Sequence, residues 1–362
     1  MAIRAGILFF LILTIYILNA FLNPIPKRNI IEGQVTKYGT SYSFEQAKWY
    51  GINPREGFVK LISEIKFDWV RLPFFWDQMS DPSGNLQIND LRFAIEEADK
   101  RNIQVIVALG AKAPFYPEYH IPDTLKPKLR FGQTISADHP IAADILEIDK
   151  KVVKELSIYK NISHWQIENE PFLANVNGWK MDSDLLKAEV DVVRSADSLD
   201  RPIILNHVGP SFIDNKWKKL LPLLKPGDVL GVNAYFKTQG IYLYEGIIFG
   251  QSFKISWPRW FSWPVQSWMF LSPNFERIRK EVEARGMEFW VLEMQAEPYI
   301  RMLADASKNQ PFYKSNDISK AQRYLVASGV KSIGFWGANF WQYRQKHGDS
   351  TWIDAVKLIV NL

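Results

Sequence analysis

From about residue 34 onward, short apolar runs alternate with stretches in which apolar positions return every three or four residues. The runs predict strands near Gln34–Tyr42, Trp69–Leu72, Gln104–Leu109, Ser163–Ile167, Ile203–Asn206, Val229–Asn233, Phe289–Leu292 and Ser332–Phe335. The amphipathic stretches predict helices near Arg55–Ile65, Asp90–Arg101, Ala142–Leu156, Ser183–Leu199, Trp217–Leu224, Asn274–Arg285 and Ser319–Ser328. Breakers stand where helix should give way to strand: Asp200-Arg201-Pro202, Pro226-Gly227, Arg285-Gly286 and Ser328-Gly329. Strands that alternate with helices form a mainly parallel sheet. The count of eight is the one that closes a (β/α)8 TIM barrel. An open doubly wound sheet usually carries a glycine-rich phosphate-binding turn, and the chain has neither G-x-G-x-x-G nor G-x-x-x-x-G-K-[ST]. The prediction is therefore an α/β barrel.

The N-terminal pattern is different. Residues 5–22, AGILFFLILTIYILNAFL, hold no charge, and Asn19 is their one strongly polar side chain. At about 1.5 Å per residue, such a helix is just long enough to cross a hydrocarbon core. A single transmembrane or signal-anchor helix is expected, with residues 23–28 as a stiff linker and a catalytic domain over 29–362. A cleaved signal peptide would need a small-x-small site, which Leu18-Asn19-Ala20 matches poorly. Arg4 lies on one side and Lys27 and Arg28 on the other, so charge does not orient the segment. The expected partner is a membrane, with the domain on its outer side, or the protein is secreted if the segment is cleaved.

Composition narrows the chemistry. A chain of 362 residues, 47% hydrophobic and 23% charged, can bury a full core. The balance of 44 − 39 = +5 carries no long basic run, so nucleic acid is not an expected partner. With no cysteine, disulfides and thiolate chemistry are excluded, and the five histidines show no local metal-binding spacing. No metal or cofactor is expected.

Barrel enzymes carry their working groups at the C-terminal ends of the strands. Two carboxylates fall there. The fourth strand ends Trp165-Gln-Ile-Glu-Asn-Glu-Pro171, placing Glu170 just past it, and the seventh runs Phe289-Trp-Val-Leu-Glu293. Glu170 and Glu293 would face each other across the barrel mouth. Such a pair suits glycosidic cleavage, in which an acid protonates the leaving oxygen while a carboxylate attacks the anomeric carbon. Glu297 is a second candidate on strand seven, but it precedes a proline in a loop, so Glu293 is favoured. Gln166 and Glu168 share the parity of Glu170 and are expected to form a buried polar layer beneath it.

Asn169-Glu170-Pro171 followed by Glu293 resembles glycoside hydrolase clan A, including the family five cellulase-like and family forty-two β-galactosidase-like barrels. The resemblance runs from about Gly39 to Trp341. It implies a retaining, β-specific two-step mechanism with Glu170 as acid/base and Glu293 as nucleophile. It further implies that Asn169 binds the sugar 2-hydroxyl, Arg71 sits beside the nucleophile, Tyr235 hydrogen-bonds it, and Trp336 floors the −1 sugar site. Many members carry His two positions before that tyrosine, where this chain has Asn233. Asn206 and His207 on strand five have no mapped role; His207 could equally support the site or act in it.

Singly, each of these residues has a plain structural reading. Arg71 could be an ion-pair partner, and Tyr235 or Trp336 could be core. The 14 Trp, 14 Tyr and 23 Phe are chiefly core by default, yet Phe74, Phe75 and Trp76 after strand two, with Trp341 and Tyr343 after strand eight, are placed to line a cleft. An aromatic-rich insertion at about 236–273 could be a lid, a membrane contact or a satellite core. The function expected is hydrolysis of O-glycosidic bonds in β-linked carbohydrate. A transglycosidase, and a catalytically inactive membrane-anchored carbohydrate-binding barrel, are the alternatives.

Overall fold

The computed structural model describes residues 9–14, 35–81, 83–174, 177–209, 215–236, 238–239, 242–248, 251–256, 262–263, 274–298, 303–308 and 313–361. Eight parallel strands close a barrel: β1 (Lys37–Ser41), β2 (Trp69–Pro73), β3 (Gln104–Leu109), β4 (Ile162–Ile167), β5 (Ile203–Val208), β6 (Val229–Ala234), β7 (Glu288–Gln295) and β8 (Ser332–Trp336). Neighbours in sequence are neighbours in space, and β1 pairs with β8 to complete the ring. Each predicted strand is present, with ends shifted by a residue or a few.

The outer layer follows from amphipathic helices with local start signals. Its helices include α1 (Pro54–Glu64), α2 (Asn89–Asp99), α3 (Ala142–Leu156), α4 (Ser183–Ala196), α5 (Phe275–Glu283), α6 (Ser315–Ala327) and α7 (Thr351–Val360). Asn53, Asp182 and Asn274 cap α1, α4 and α5 by accepting from first-turn N–H groups. The helix predicted over Trp217–Leu224 is instead two 3₁₀ turns, Lys216–Lys219 and Leu221–Leu223. Pro222 lies in the first turn of the second and has no N–H to donate, so a continuous α-helix cannot run through it.

Burial on both faces explains the apolar strands. Outward residues meet the helices in the main core, whereas Trp69, Ile106, Ile204, Val229, Trp290 and Leu292 fill the barrel itself. The Trp69 and Trp290 rings stack at 5.9 Å. Trp69 fits only because β1 and β8 carry glycine beside it: a Cβ at Gly39 would lie 2.1 Å from its ring, and one at Gly334 2.4 Å.

The N-terminal expectation falls mostly outside the described residues. Residues 9–14 are helical, and among the described residues no helix is long and apolar enough to cross a membrane. In the 236–273 insertion, Tyr242–Ile248 pairs antiparallel with Gln251–Ser256, and Thr238–Gln239 pairs with Ser262–Trp263. Trp257, Trp260, Phe261 and Trp268 lie outside the described residues.

Replacing Gly39 by Ala drives a methyl into the Trp69 ring. Destabilisation of about 1–3 kcal/mol is expected, read as a lower denaturant midpoint with unchanged slope.

Candidate active site

Side chains from seven of the eight strands converge where the barrel opens. Arg71 on β2 has no exposed surface. Its Nε donates to Ser41 Oγ (2.8 Å), Nη1 to Gln166 Oε1 (3.2 Å) and Nη2 to Glu293 Oε1 (2.6 Å). The Tyr235 hydroxyl donates to the other carboxylate oxygen, Glu293 Oε2, at 2.7 Å. Both oxygens of Glu293 therefore face fixed donors, one of them cationic, which suits an acceptor-only carboxylate. Burial, reinforced by Glu293, pushes the Tyr235 phenol far up, so it stays a donor.

Glu170 is held differently. Its carboxyl accepts from Asn233 Nδ2 at 2.7 Å, and Asn233 is the register partner of Glu293 across β6 and β7. Asn233 thus stands between the two glutamates, bonded to Glu170 by its amide and beside Glu293 in the strand register. Burial, then the negative charge of Glu293, raises the Glu170 pKa to about 7. Asn206 sets the backbone beneath: its Oδ1 accepts from the Glu170 N–H (2.9 Å) and its Nδ2 donates to Asn169 Oδ1 (2.9 Å). Gln166 Nε2 reaches Asn169 Oδ1 and Asn206 Oδ1, both at 3.3 Å. Glu168 and Glu170 both take left-handed backbone, φ 53° and 50°, a conformation that costs non-glycine residues roughly 1–2 kcal/mol.

The Arg71 guanidinium lies 5.8 Å from the Trp336 ring centre, and Phe115 packs on the same indole at 4.4 Å. Glu297 is buried beside them. Burial raises its pKa to about 8, with the Trp336 indole hydrogen bond lowering and Glu293 raising it. Glu297 thus has an indole donor and a raised pKa where Glu293 has two donors, one of them cationic. Sequence reasoning had no means of seeing this contrast, because it arises from unequal donors across the barrel.

Other predicted residues go elsewhere. His207, on the opposite parity to Asn206, meets Phe172 edge-on with ring centres 6.4 Å apart. Trp76 is buried in the main core at the start of a short helix, Trp76–Met79. Phe74 and Trp341 have no exposed surface, and the Trp341 indole donates to Ala296 O at 2.8 Å, so neither lines a cleft. Phe75 stacks on His120 at 3.9 Å. Among the described residues no group of three His, Asp or Glu could hold a metal ion.

Beneath the 168–170 turn, Glu168, which parity places in a buried layer, meets two acids the sequence reading did not find. Glu168, Glu189 of α4 and Asp149 of α3 are all fully buried. Glu189 hydrogen-bonds both of the others, and burial raises Glu189 and Asp149 well above the carboxylate range, with Glu168 at about 7. Were all three ionised, the Glu189 oxygens would have no donor and Asp149 only the Gly110 N–H. Protons shared between the acids supply the missing donors. The signal was there: both acids occupy the apolar stripe of an amphipathic helix, between Ile145 and Val152–Val153 in α3 and between Leu185–Leu186 and Val193 in α4.

A family model described as Cellulase (glycosyl hydrolase family 5) matches residues 29–228. No curated protein matches by sequence. Similar solved structures include a family 5 lichenase from Caldicellulosiruptor sp. F32, at 14% identity and TM-score 0.55, covering 93% of this chain and 99% of that one. An exo-β-1,4-mannosidase from Opitutaceae bacterium strain TAV5 is similar at 10% identity and TM-score 0.56, covering 93% of this chain and 62% of its own. A β-galactosidase from the psychrophilic Marinomonas ef1 is similar at 12% identity and TM-score 0.56, covering 90% of this chain; the match spans 59% of its length. At these identities the likeness is one of fold.

The buried acids make stability depend on pH. They keep protons that the unfolded chain releases from roughly pH 4 upward, so unfolding gains as pH rises through that value toward their folded ones. Glu189→Gln removes one such proton while leaving donors in place. It should melt above the wild type at pH 8, by roughly 2–4 °C per kcal/mol relieved, with the gap closing toward pH 5 in calorimetry.

Proposed function

The chain belongs to the cellulase family of glycosyl hydrolases, family 5, and from that premise we propose that it is a retaining glycosidase acting on β-linked carbohydrate. The observation that carries the reading is the unequal treatment of two carboxyls on one barrel mouth. Glu293 receives Arg71 and Tyr235, whereas Glu170 is raised to about 7 by burial and by Glu293. One group is matched to be an anion and the other to carry a proton near neutral pH, the division that double displacement requires.

In the first step a Glu293 oxygen bonds to the anomeric carbon as the bond to the leaving oxygen breaks. The Glu170 proton passes to that oxygen. In the second, Glu170, now a carboxylate, takes a proton from water, whose oxygen attacks the same carbon and releases Glu293. Trp336 offers an indole face beside Arg71 for a sugar ring, and Asn169, held by Asn206, offers its amide to a ring hydroxyl. The uncharged stretch at residues 5–22 supports a membrane tether for this domain.

Screening aryl and alkyl β-glycosides, with proton NMR of the first-formed anomer, tests the proposal. Glu293→Gln should abolish turnover. Glu170→Gln should cost roughly 10²–10⁴-fold on substrates with basic leaving groups. It should cost far less in the first step of activated aryl glycosides, with deglycosylation then slow. The wild-type kcat/KM should fall as pH rises through about 7, as Glu170 loses its proton. Inversion at the anomeric carbon, or near-normal turnover by Glu293→Gln, would refute the assignment.

A further inference from the structure

Two side chains cross between the ends of β3 and β4 in opposite directions. Glu168, past β4, reaches back so that its carboxyl oxygens accept from the N–H groups of Ala111 (2.7 Å) and Lys112 (2.5 Å). Lys112, past β3, reaches forward, and its ammonium donates to the carbonyl oxygens of Glu170 and Leu173, each at 2.8 Å. Between them the Asn169 N–H donates to Lys112 O at 2.6 Å. Lys112 and Glu168 have no exposed surface. The crossing leaves no room for a side chain at Gly110, where a Cβ would lie 2.3 Å from Glu168 Oε1.

A buried lysine is rare without a reason, because an ammonium must recover its lost hydration from fixed acceptors. Here two of those acceptors are carbonyls of the turn that bears Glu170, and the third neighbour is Glu118 Oε2 at 3.5 Å. The same turn holds two left-handed non-glycine residues, a state that persists only where surrounding contacts over-determine it. Resting on the assignment of Glu170 as acid/base, we propose that Lys112 and Glu168 are positioning residues, whose crossed hydrogen bonds hold the 168–170 turn so that the Glu170 carboxyl is fixed against Asn233. Lys112 also acts on that carboxyl by charge. It opposes the proton on Glu170, as the Asn233 amide does, against burial, Glu293 and Glu118, which favour it; the Tyr235 hydroxyl stands beside both glutamates as a neutral donor.

Lys112→Met in the full chain tests this with two readouts. Carboxyl-labelled glutamate NMR, with the Glu170 signal identified by its loss in Glu170→Gln, should show Glu170 titrating at higher pH than in the wild type. Turnover should fall in proportion to leaving-group basicity: roughly tenfold or more on alkyl β-glycosides, only a few-fold on nitrophenyl ones. A uniform structural defect would lower both alike. Should Lys112→Met fail to fold, Glu168→Gln leaves the lysine and one acceptor in place and should show the same leaving-group dependence. Folded variants with the Glu170 titration and the leaving-group dependence both unchanged would overturn the proposal. A wild type that cleaves no glycoside would sink the glycosidase reading instead; the NMR titration of Lys112→Met would then decide alone, a raised Glu170 supporting the role of Lys112 and an unmoved one overturning it.

Discussion

A guanidinium sealed from water at the centre of a barrel must find every partner in the protein. Arg71 finds them on β1, β4 and β7, through Ser41, Gln166 and Glu293. Removing any one would strand part of a buried charge, and removing Arg71 would strand Glu293, the kind of loss that costs about 3–5 kcal/mol. The strands can therefore close in one register only, the one that brings these four residues to the same height. The ion pair does not make the barrel stable on its own account; the apolar layers do that. It makes the barrel mouth specific, because a slip of one residue on any of these strands would turn its partner to the other face.

Burial raises the other acids of the barrel mouth, and the Glu293 carboxylate adds to that rise. Glu293 lies close enough to press on Glu170, Tyr235 and Glu297, and all three hold their protons more tightly for it. The effect on each differs with its own donors. Glu170 has the Asn233 amide and the buried Lys112 to moderate it, whereas Glu297 has only the Trp336 indole. The same logic runs one layer down, where Asp149, Glu189 and Glu168 share protons between two helices and the end of β4. The two glutamates of the barrel mouth thus lie among buried acids, Glu297, Glu189 and Asp149, whose pKa values burial raises.

The barrel, its eight strands and the positions of the two glutamates were legible in the chain because strand ends announce themselves. Apolar runs buried on both faces stop abruptly, and the first polar residue beyond them stands at the mouth. The family resemblance, not strand ends alone, pointed to Arg71, Asn169, Tyr235 and Trp336, and parity put Gln166 and Glu168 in a buried layer, where both lie. The strand-end expectation of a cleft lining did not hold for Phe74 and Trp341, which have no exposed surface, and Trp76 lies in the main core. Aromatic residues just past a strand serve a cleft or a core equally well, and only packing distinguishes the two. The helix expected at Trp217–Leu224 failed for a local reason, since the apolar spacing was right but Pro222 lacked a donor.

What order along the chain could establish was which residues share a strand end, since the two-residue alternation of a strand and the turn of a helix are set by covalent geometry. Which carboxyl is bare, which is protonated and which hydrogen bonds hold the acid loop depend on distances between segments remote in sequence. Lys112 reads as one more surface lysine until folding lays it across Glu170, Leu173 and Glu118. Electrostatic energy falls with separation in space, and the chain's numbering carries no record of that separation until the barrel closes.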